Sequence, residues 1–255
     1  MIEVHNLTFG YSATEDGQIL KGVDFAAKTG KLTALIGTNG AGKSTLLKTI
    51  MGILKGKGEI SVNGKPVSQY STKDFSSTVS YLSQDNDCKV NLSVFEVVML
   101  GRMGSMSFRV SDEDIAATQE VLERLNLQRF ASRSIMELSG GQRQLVFMAQ
   151  ALVKEPKILI LDEPTSALDL HKQFDLLTLL KNLTQENDFT TLVTLHHLDL
   201  AAMFADEIIV LKEGTVYAQG APKDIFTEAM MEDVYRVKTK IYMDDNGLPH
   251  VIPLE

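Results

Sequence analysis

The sequence predicts an α/β fold with an antiparallel sheet near the N-terminus and a mostly helical insertion in the middle of the chain. Residues 2–9 alternate apolar and polar side chains as a half-buried strand does, and residues 19–25 form a second strand of this kind. Ile158–Leu161 is a continuous apolar run, typical of a parallel strand that is covered on both faces. From about residue 85 to residue 156 the apolar spacing is helical. Strands that alternate with helices on either side of such a block favour an α/β core.

The other elements follow from hydrophobic period and turn residues. Before the helical block, the sequence predicts strands at residues 32–36, 59–62 and 79–83 and a helix at residues 45–54. Within the block, it predicts helices at residues 92–100, 112–125 and 141–154. After the block, it predicts a helix at residues 168–183, a strand at 190–195, a hairpin of strands 207–211 and 215–218, a helix at 225–235 and a second hairpin across 241–252.

Composition and charge restrict the kind of protein. The chain has 255 residues, of which 44% are hydrophobic, and this content is ample for a buried core. Its net charge of -8 argues against a general nucleic-acid binder, because phosphate backbones need a basic face. No apolar stretch approaches the roughly 20 residues that cross a bilayer, and no export signal opens the chain, so we expect a cytoplasmic location. The one cysteine, Cys88, cannot form an internal disulfide, and we expect it to be incidental.

A glycine-rich loop that ends in lysine predicts a nucleotide site. Its sequence fits G-x-x-x-x-G-K-[ST] at every position, between a predicted strand and a predicted helix, and reads Gly37-Thr38-Asn39-Gly40-Ala41-Gly42-Lys43-Ser44. Glycines allow the sharp turns that bring successive N–H groups onto phosphate oxygens, and the helix that follows contributes its positive end. We expect Lys43 to bridge the terminal phosphates and Ser44 to ligate magnesium.

Two carboxylates follow the buried apolar run. Asp162 and Glu163 emerge at the carboxyl end of a predicted central strand, where open α/β sheets bind ligands. Magnesium prefers oxygen ligands and often needs only one or two carboxylates besides water and phosphate, which suits Asp162 acting with Ser44. Glu163 is then free to orient or deprotonate water, and a positioned base contributes roughly a hundred- to ten-thousandfold in rate.

A second glycine-rich segment, Leu138-Ser139-Gly140-Gly141-Gln142, opens a strongly apolar predicted helix. Ser139 can cap this helix, and the two glycines leave backbone N–H groups open to an anion that approaches closely. Taken alone, the segment also fits a capped helix start with a glycine hinge.

These motifs, in this order, resemble the nucleotide-binding subunit of an ATP-binding cassette (ABC) transporter, and the resemblance spans nearly the whole chain. It implies a P-loop NTPase (RecA-like) core, ATP and Mg²⁺ as cofactors, and ATP hydrolysis coupled to transmembrane transport. We expect residues 1–86 and 157–235 to form the ATP-binding core with its β platform, residues 87–156 the helical subdomain, and residues 236–255 a C-terminal extension.

The resemblance also implies roles for individual residues. It identifies Gly37 to Thr45 as the Walker A loop, Leu138 to Gln142 as the family signature, and Asp162 with Glu163 as the Walker B pair. Tyr11 resembles the aromatic residue that stacks on adenine, although a single tyrosine also fits an ordinary strand end. Gln84 resembles the glutamine that senses magnesium and the membrane partner.

Two further assignments concern the partner-facing segment and the switch residue. Asp169, in Ser166-Ala167-Leu168-Asp169, belongs to the segment that faces the second subunit. His196 resembles the switch histidine at the end of the last core strand, and the adjacent His197 is the alternative. The family closes as a head-to-tail homodimer, so each signature is expected to grip the γ-phosphate held by the other chain.

The branch of the family is a separate question. One cassette without membrane spans favours a standalone importer ATPase that sits on the inner face of the cell membrane, with permease subunits and an external solute-binding protein as partners. Val98-Met99-Leu100-Gly101-Arg102 resembles the importer group for iron-siderophores, haem and cobalamin, although Met103-Gly104-Ser105 replaces the usual proline. Arg102 could instead be a solvated charge. The alternative function is a soluble ATPase for iron-sulfur cluster assembly, whereas a DNA-repair ATPase predicts a long heptad insertion that this chain lacks.

Overall fold

The structure is a computed structural model that describes residues 1–12, 17–84, 91–103 and 110–254. Its strands are β1 Ile2–Gly10, β2 Gln18–Ala27, β3 Lys31–Ile36, β4 Lys57–Val62, β5 Lys65–Pro66, β6 Val79–Leu82, β7 Ile158–Leu161, β8 Thr190–Thr194, β9 Glu207–Lys212, β10 Thr215–Gly220, β11 Thr239–Met243 and β12 Pro249–Pro253. Its helices are α1 Lys43–Ile50, α2 Thr72–Thr78, α3 Val94–Met99, α4 Asp112–Arg124, α5 Gly140–Leu152, α6 Leu170–Glu186, α7 Leu198–Phe204, α8 Pro222–Ile225 and α9 Glu228–Met230. Cys88, the predicted boundary at residues 86 and 87, and the Gly104-Ser105 part of the departure from the importer pattern lie outside the described residues.

Two sheets form the core. The larger sheet has the strand order β10-β9-β3-β8-β7-β6, and all of its pairs are parallel except β9 with β10. The smaller sheet, β2-β1-β4-β5, is antiparallel throughout, and β11 pairs with β12 in a separate hairpin. The predicted α/β fold with an antiparallel platform is therefore confirmed.

The parallel sheet is covered on both faces, and its strand β7 is apolar and buried at every position. In β7, Leu159 and Leu161 belong to one buried cluster, which includes residues of α3, α5 and α6. Ile158 and Ile160 belong to a second cluster, which includes residues of α1 and of the antiparallel sheet. A strand of this kind is fixed in place by burial on two sides, so the residues that follow it are held firmly.

The predicted helical insertion lies between β6 and β7. Helices α3, α4 and α5 match the predicted ranges to within two residues at each end. Each of them starts with a serine whose side chain accepts a hydrogen bond from the third residue of the helix, while the side chain of that residue bonds back to the serine N–H. These reciprocal pairs, called capping boxes, satisfy two otherwise unpaired groups at each helix start.

Several helix predictions need correction, and α6 also runs from Leu170 to Glu186, where residues 168–183 were predicted. Helix α1 begins two residues early and ends at Ile50, because Gly52 adopts a left-handed conformation with φ of 70°. The predicted helix at 225–235 is divided into α8, α9 and a π-helical turn at 231–235, because Thr227 caps a new helix start. Helices α2 and α7 were not predicted, and the sequence of α2, capped by Ser71, has almost no apolar period. None of the helices in the described part of the chain has both the length and the hydrophobicity that a membrane crossing requires.

Arg102 is not a solvated charge. Its Nε donates to Asp114 Oδ1 at 2.6 Å and its Nη1 donates to Val153 O at 3.2 Å, so it ties the start of α4 to the end of α5. Hydrogen bonds from Ser111 and from Arg102 lower the pKa of Asp114 to about 2. Arg102 therefore stabilises the helical insertion by connecting two of its helices.

Candidate nucleotide site

The loop between β3 and α1 needs its glycines for steric reasons. Gly37, Gly40 and Gly42 have φ values of 148°, 80° and 103°, which side-chain-bearing residues rarely adopt. A Cβ added to Gly37 would lie 2.2 Å from Leu211 O. Gly42 occupies the N-cap position of α1, and no side chain among the described residues caps this helix. The first-turn N–H groups of α1 are thus available to an anion.

Lys43 is buried at the base of this loop. Its Nζ donates to Gly37 O at 2.8 Å and to Thr38 O at 3.1 Å. Burial lowers the pKa of Lys43, and the nearby carboxylates of Glu163 and Asp162 oppose that shift. The loop therefore presents one cation opposite two carboxylates.

Glu163 joins the ends of three neighbouring parallel strands. Its Oε2 accepts a hydrogen bond from Gln84 Nε2, beyond β6, at 2.7 Å. Its Oε1 lies 2.5 Å from His196 Nε2, beyond β8. Because the carboxyl ends of parallel strands meet at one edge of a sheet, residues far apart in the sequence converge on a single carboxylate.

Asp162 is held by a residue that the sequence did not single out. Thr194 Oγ1, at the end of β8, donates to Asp162 Oδ1 at 2.9 Å and accepts from Glu163 N at 2.7 Å. Asp162 is 2% exposed and Thr194 is fully buried. A hydroxyl among apolar neighbours in a buried strand signals a hydrogen-bond partner, but its identity depends on which strands are adjacent.

A cavity of about 510 Å³ lies beside these groups, a volume typical of small-ligand sites. Its described lining consists of loop residues together with groups from the other motifs: Ile19, Asn39, Gly40, Gly42, Lys43, Ser44, Thr45, Gln84, Glu163 and His196. Ser44 and Gln84 of this lining, together with Asp162, the residue before Glu163, offer the oxygen atoms that suit Mg²⁺. The donor set therefore fits the predicted ATP–Mg²⁺ site.

The signature segment lies apart from this cavity. Gln142 N donates to Ser139 Oγ at 3.4 Å, and Ser139 N donates to Gln142 Oε1 at 3.0 Å, which forms the capping box of α5. A Cβ added to Gly140 would meet no heavy atom of the described chain within 4 Å, whereas one added to Gly141 would lie 2.8 Å from Ala167 O. None of Ser139, Gly140, Gly141 and Gln142 is part of the described cavity lining.

The remaining predicted residues lie outside the cavity lining. Tyr11 is 69% exposed and packs edge-on against Phe9 with a centroid separation of 5.0 Å. Asp169 caps α6, where Lys172 N donates to its Oδ1 at 3.0 Å and hydrogen bonds from Lys172 lower its pKa. His197 is exposed at the N-cap position of α7 and makes no capping hydrogen bond there. Of the two adjacent histidines, it is His196 that contacts Glu163.

The cavity and its motifs define a P-loop nucleotide-binding protein. Residues 20–166, more than half of the chain, match the family model described as ABC transporter. The chain therefore belongs to the ABC transporter family, as one of its ATP-binding subunits, which are ATPases coupled to transport.

Individual relatives cover nearly the whole chain. The iron(3+)-hydroxamate import ATP-binding protein FhuC of Bacillus subtilis is 37% identical over 246 residues, which are 95% of this chain and 90% of the relative. The ferric enterobactin transport ATP-binding protein FepC of Escherichia coli is 35% identical over 252 residues, with 97% and 92% covered. These relatives do not favour the iron-sulfur assembly alternative.

Solved structures agree with the fold. A chain of an ABC transporter in an inward-facing conformation has a TM-score of 0.84 at 29% identity, covering 100% of this chain and 97% of that one. A dimeric ATP-binding cassette in a post-hydrolysis state, bound to ADP and Pi, has a TM-score of 0.78 at 30% identity, covering 87% and 98%. The predicted P-loop NTPase fold is confirmed.

Proposed function

We propose that this chain is the ATP-hydrolysing subunit of an importer for iron-siderophores, haem or cobalamin. The names of the relatives FhuC and FepC, both iron-siderophore systems, support this cargo class. Its partners are a second copy, membrane permease subunits and an external solute-binding protein, which places it on the inner face of the cell membrane. One observation carries the hydrolytic role: Glu163, held by Gln84 and His196, borders the cavity that the glycine-rich loop lines.

Binding of ATP uses the loop and the start of α1. The N–H groups of residues 37 to 45 and the positive end of α1 receive the phosphates, and the ammonium group of Lys43 neutralises the terminal ones. Tyr11 stacks on the adenine. Ser44, Asp162 and Gln84 would hold Mg²⁺, which supplies charge neutralisation on the phosphate oxygens when bound.

Hydrolysis depends on the orientation of one carboxylate. Glu163 positions a water molecule in line with the γ-phosphate and accepts its proton. Gln84 and His196 fix the two oxygens of that carboxylate at 2.7 Å and 2.5 Å. Because phosphoryl transfer needs little covalent chemistry from the protein, positioning and electrostatic stabilisation provide most of the rate.

Two copies complete each other's sites. In one chain the signature lies away from the loop cavity, and the Gly140 side of α5 is sterically open. We infer that Ser139, Gly140, Gly141 and Gln142 approach the γ-phosphate bound by the other copy, with Asp169 facing the same partner. Closure of the dimer is then transmitted through residues 87–156 to the permease, and hydrolysis reopens it.

The substitution Glu163→Gln tests this function. We expect the variant to bind ATP and form a stable dimer while its hydrolysis rate falls by about a hundred- to ten-thousandfold, because the amide cannot accept a proton. Gel filtration with ATP and phosphate release measure these effects, and the tagged variant should copurify with polytopic membrane subunits.

Glu155→Gln is the matched control, because Glu155 is exposed and shares the left-handed backbone of Glu163, with φ of 51° at both positions. This control should behave as the parent. Hydrolysis by Glu163→Gln at the parental rate would remove the base assignment, and an ATP-bound monomer would contradict the shared sites. Recovery with a soluble partner in place of membrane subunits would contradict the importer.

A further inference from the structure

The segment from Glu163 to Leu168, which links β7 to α6, is held by buried side chains from three different elements. Thr194 of β8 accepts from Glu163 N at 2.7 Å. Gln173 of α6 donates to Thr165 O at 3.1 Å and to Leu168 O at 3.0 Å. Gln144 of α5 supplies the third attachment. Irregular backbone held at several points by buried groups behaves as a rigid part of the fold.

Gln144 uses both ends of its amide on this segment. Its Nε2 donates to Glu163 O at 3.1 Å, and its Oε1 accepts from Ala167 N at 3.2 Å. The side chain is 9% exposed, so neither bond is readily replaced by water. Gly141, one turn earlier in α5, packs closely against the same segment, since a Cβ added there would lie 2.8 Å from Ala167 O. The first turns of α5 therefore contact the segment at two positions, Gly141 and Gln144.

The three attachments differ in what they connect. Thr194 and Gln173 lie in β8 and α6, the strand beside β7 and the helix into which the segment leads. Gln144 lies in the helix whose first residues are the signature. Of these three side chains, it is the one through which a displacement of the signature helix reaches the backbone of Glu163.

That backbone decides where the Glu163 carboxylate points. Glu163 has φ of 51°, a left-handed conformation that is unfavourable for a residue with a side chain and persists only where surrounding contacts determine it. Its N–H is bonded to Thr194, and its carbonyl accepts from Gln144, from Ser166 Oγ at 3.1 Å and from Ser166 N at 3.3 Å. Both Ser166 bonds lie within the segment itself, so loss of the Gln144 bond detaches this carbonyl from α5 and allows the segment to shift, and the carboxylate with it.

We propose that Gln144 is a positioning residue that couples the signature of each chain to the catalytic base of the same chain. This inference rests on the proposed function, in which that signature serves the nucleotide bound by the partner. Engagement of the signature at one site then fixes α5, and Gln144 transmits this position to Glu163 at the other site. The two hydrolysis sites of the dimer are coupled through this amide.

Gln144→Met tests the proposal, because methionine keeps the length of the side chain and removes both hydrogen bonds. We expect kcat for ATP hydrolysis to fall about 10- to 100-fold, since a small misplacement of a catalytic group costs up to about a hundredfold. KM for ATP should stay within about threefold of the parent, because the loop around Lys43 is untouched. The Hill coefficient of hydrolysis against ATP concentration should fall towards one.

Gln150→Met is the matched control. Gln150 lies on the same helix and donates to the backbone carbonyl of Val97 at 2.9 Å, inside the helical insertion. If Gln144 merely stabilises the fold, both variants will lower the melting temperature and impair hydrolysis alike. We expect only Gln144→Met to reduce kcat and the Hill coefficient.

Gln144→Glu provides a second readout that depends on hydrogen bonding. A carboxylate cannot donate to Glu163 O, but a protonated carboxyl can. Because burial and the nearby carboxylates raise the pKa of a carboxyl introduced at this buried position, the ratio of variant to parent kcat should rise as the pH falls from 8 to 6. Parental kcat and parental Hill coefficient in Gln144→Met would overturn the proposal, as would equal losses in the Gln150 control. Introducing Gln144→Met into the Glu163→Gln protein separates the role of Gln144 from the proposed function. ATP-dependent dimers should persist in this double variant. Their absence in Glu163→Gln alone would reject the proposed function.

Discussion

Helix α1 and the helices of the insertion begin in opposite ways, although α1 and α5 both start with glycines. Helix α1 follows three glycines with positive φ and has no capping side chain. Helices α3, α4 and α5 each begin with a serine capping box that satisfies two of the N–H groups at the helix start. An uncapped helix start that follows a glycine loop and borders a cavity indicates that the N–H groups of α1 serve an external anion.

The capping boxes also differ in charge. Those of α3 and α4 are completed by the carboxylates of Glu96 and Asp114, whereas that of α5 is completed by the neutral amide of Gln142. A carboxylate at a helix start is favourable for the helix but repels an incoming phosphate. The neutral box leaves the positive end of α5 available while the helix stays capped, which suits the proposed approach of this helix to phosphate in the dimer.

The largest expected effect is at the uncapped helix. Lys43→Ala removes the buried cation from the start of α1, and we expect ATP affinity to fall about a hundredfold or more, because charged hydrogen bonds to phosphate are lost. Titration with a fluorescent ATP analogue measures the affinity. Lys48→Ala, which changes a lysine of the last turn of the same helix, is the control and should bind as the parent does. Equal affinities for Lys43→Ala and the parent would show that the backbone of the loop suffices.

A smaller effect is expected from giving the capping box of α5 a carboxylate, as in the capping boxes of α3 and α4. Gln142→Glu keeps the hydrogen bond to Ser139 N, so the melting temperature should remain close to that of the parent. Hydrolysis and ATP-dependent dimer formation should fall about 10- to 100-fold, because in the proposed dimer a carboxylate then faces the γ-phosphate bound by the partner. Glu96→Gln, the reverse exchange in α3, should leave both unchanged. A fully active Gln142→Glu protein would place the signature away from the phosphate.

A single sequence reveals those parts of the molecule whose structure is determined by residues that are neighbours in the chain. The buried run Ile158–Leu161, the turn at Asn63-Gly64 and the glycine loop before Lys43 each contain the residues that determine their structure, and the corresponding elements lie where the sequence places them. The weak apolar period of α2 and the extra cap at Thr227 led to the missed and merged helices. Local pattern therefore predicts elements well and helix ends less well.

The sequence around Glu163 gives no indication of the hydrogen bonds that orient this residue. Thr194 and Gln144 lie 31 and 19 residues from Glu163, on a strand and a helix that become its neighbours only through the order of the sheet and the packing of α5. Their chemistry is that of ordinary buried polar residues. The motifs thus locate the reacting groups, whereas the residues that orient them require the fold.

The smallest expected effect is a pH dependence that separates the charged box of α4 from the neutral box of α5. Hydrogen bonds from Ser111 and then Arg102 lower the pKa of Asp114 from its ordinary value of 3.8 to about 2. A carboxyl whose pKa is lowered by folding contributes stability that is present above pH 3.8 and is lost as the pH falls through about 2. Asp114→Asn should therefore melt below the parent at pH 6, and this difference in melting temperature should shrink between about pH 4 and pH 2.

Gln142→Ala, which damages a capping box without a titrating group, should show a difference in melting temperature from the parent that does not change over the same interval. Thermal melts across this range measure both differences, and a constant gap for Asp114→Asn would mean that its carboxylate does not hold the start of α4.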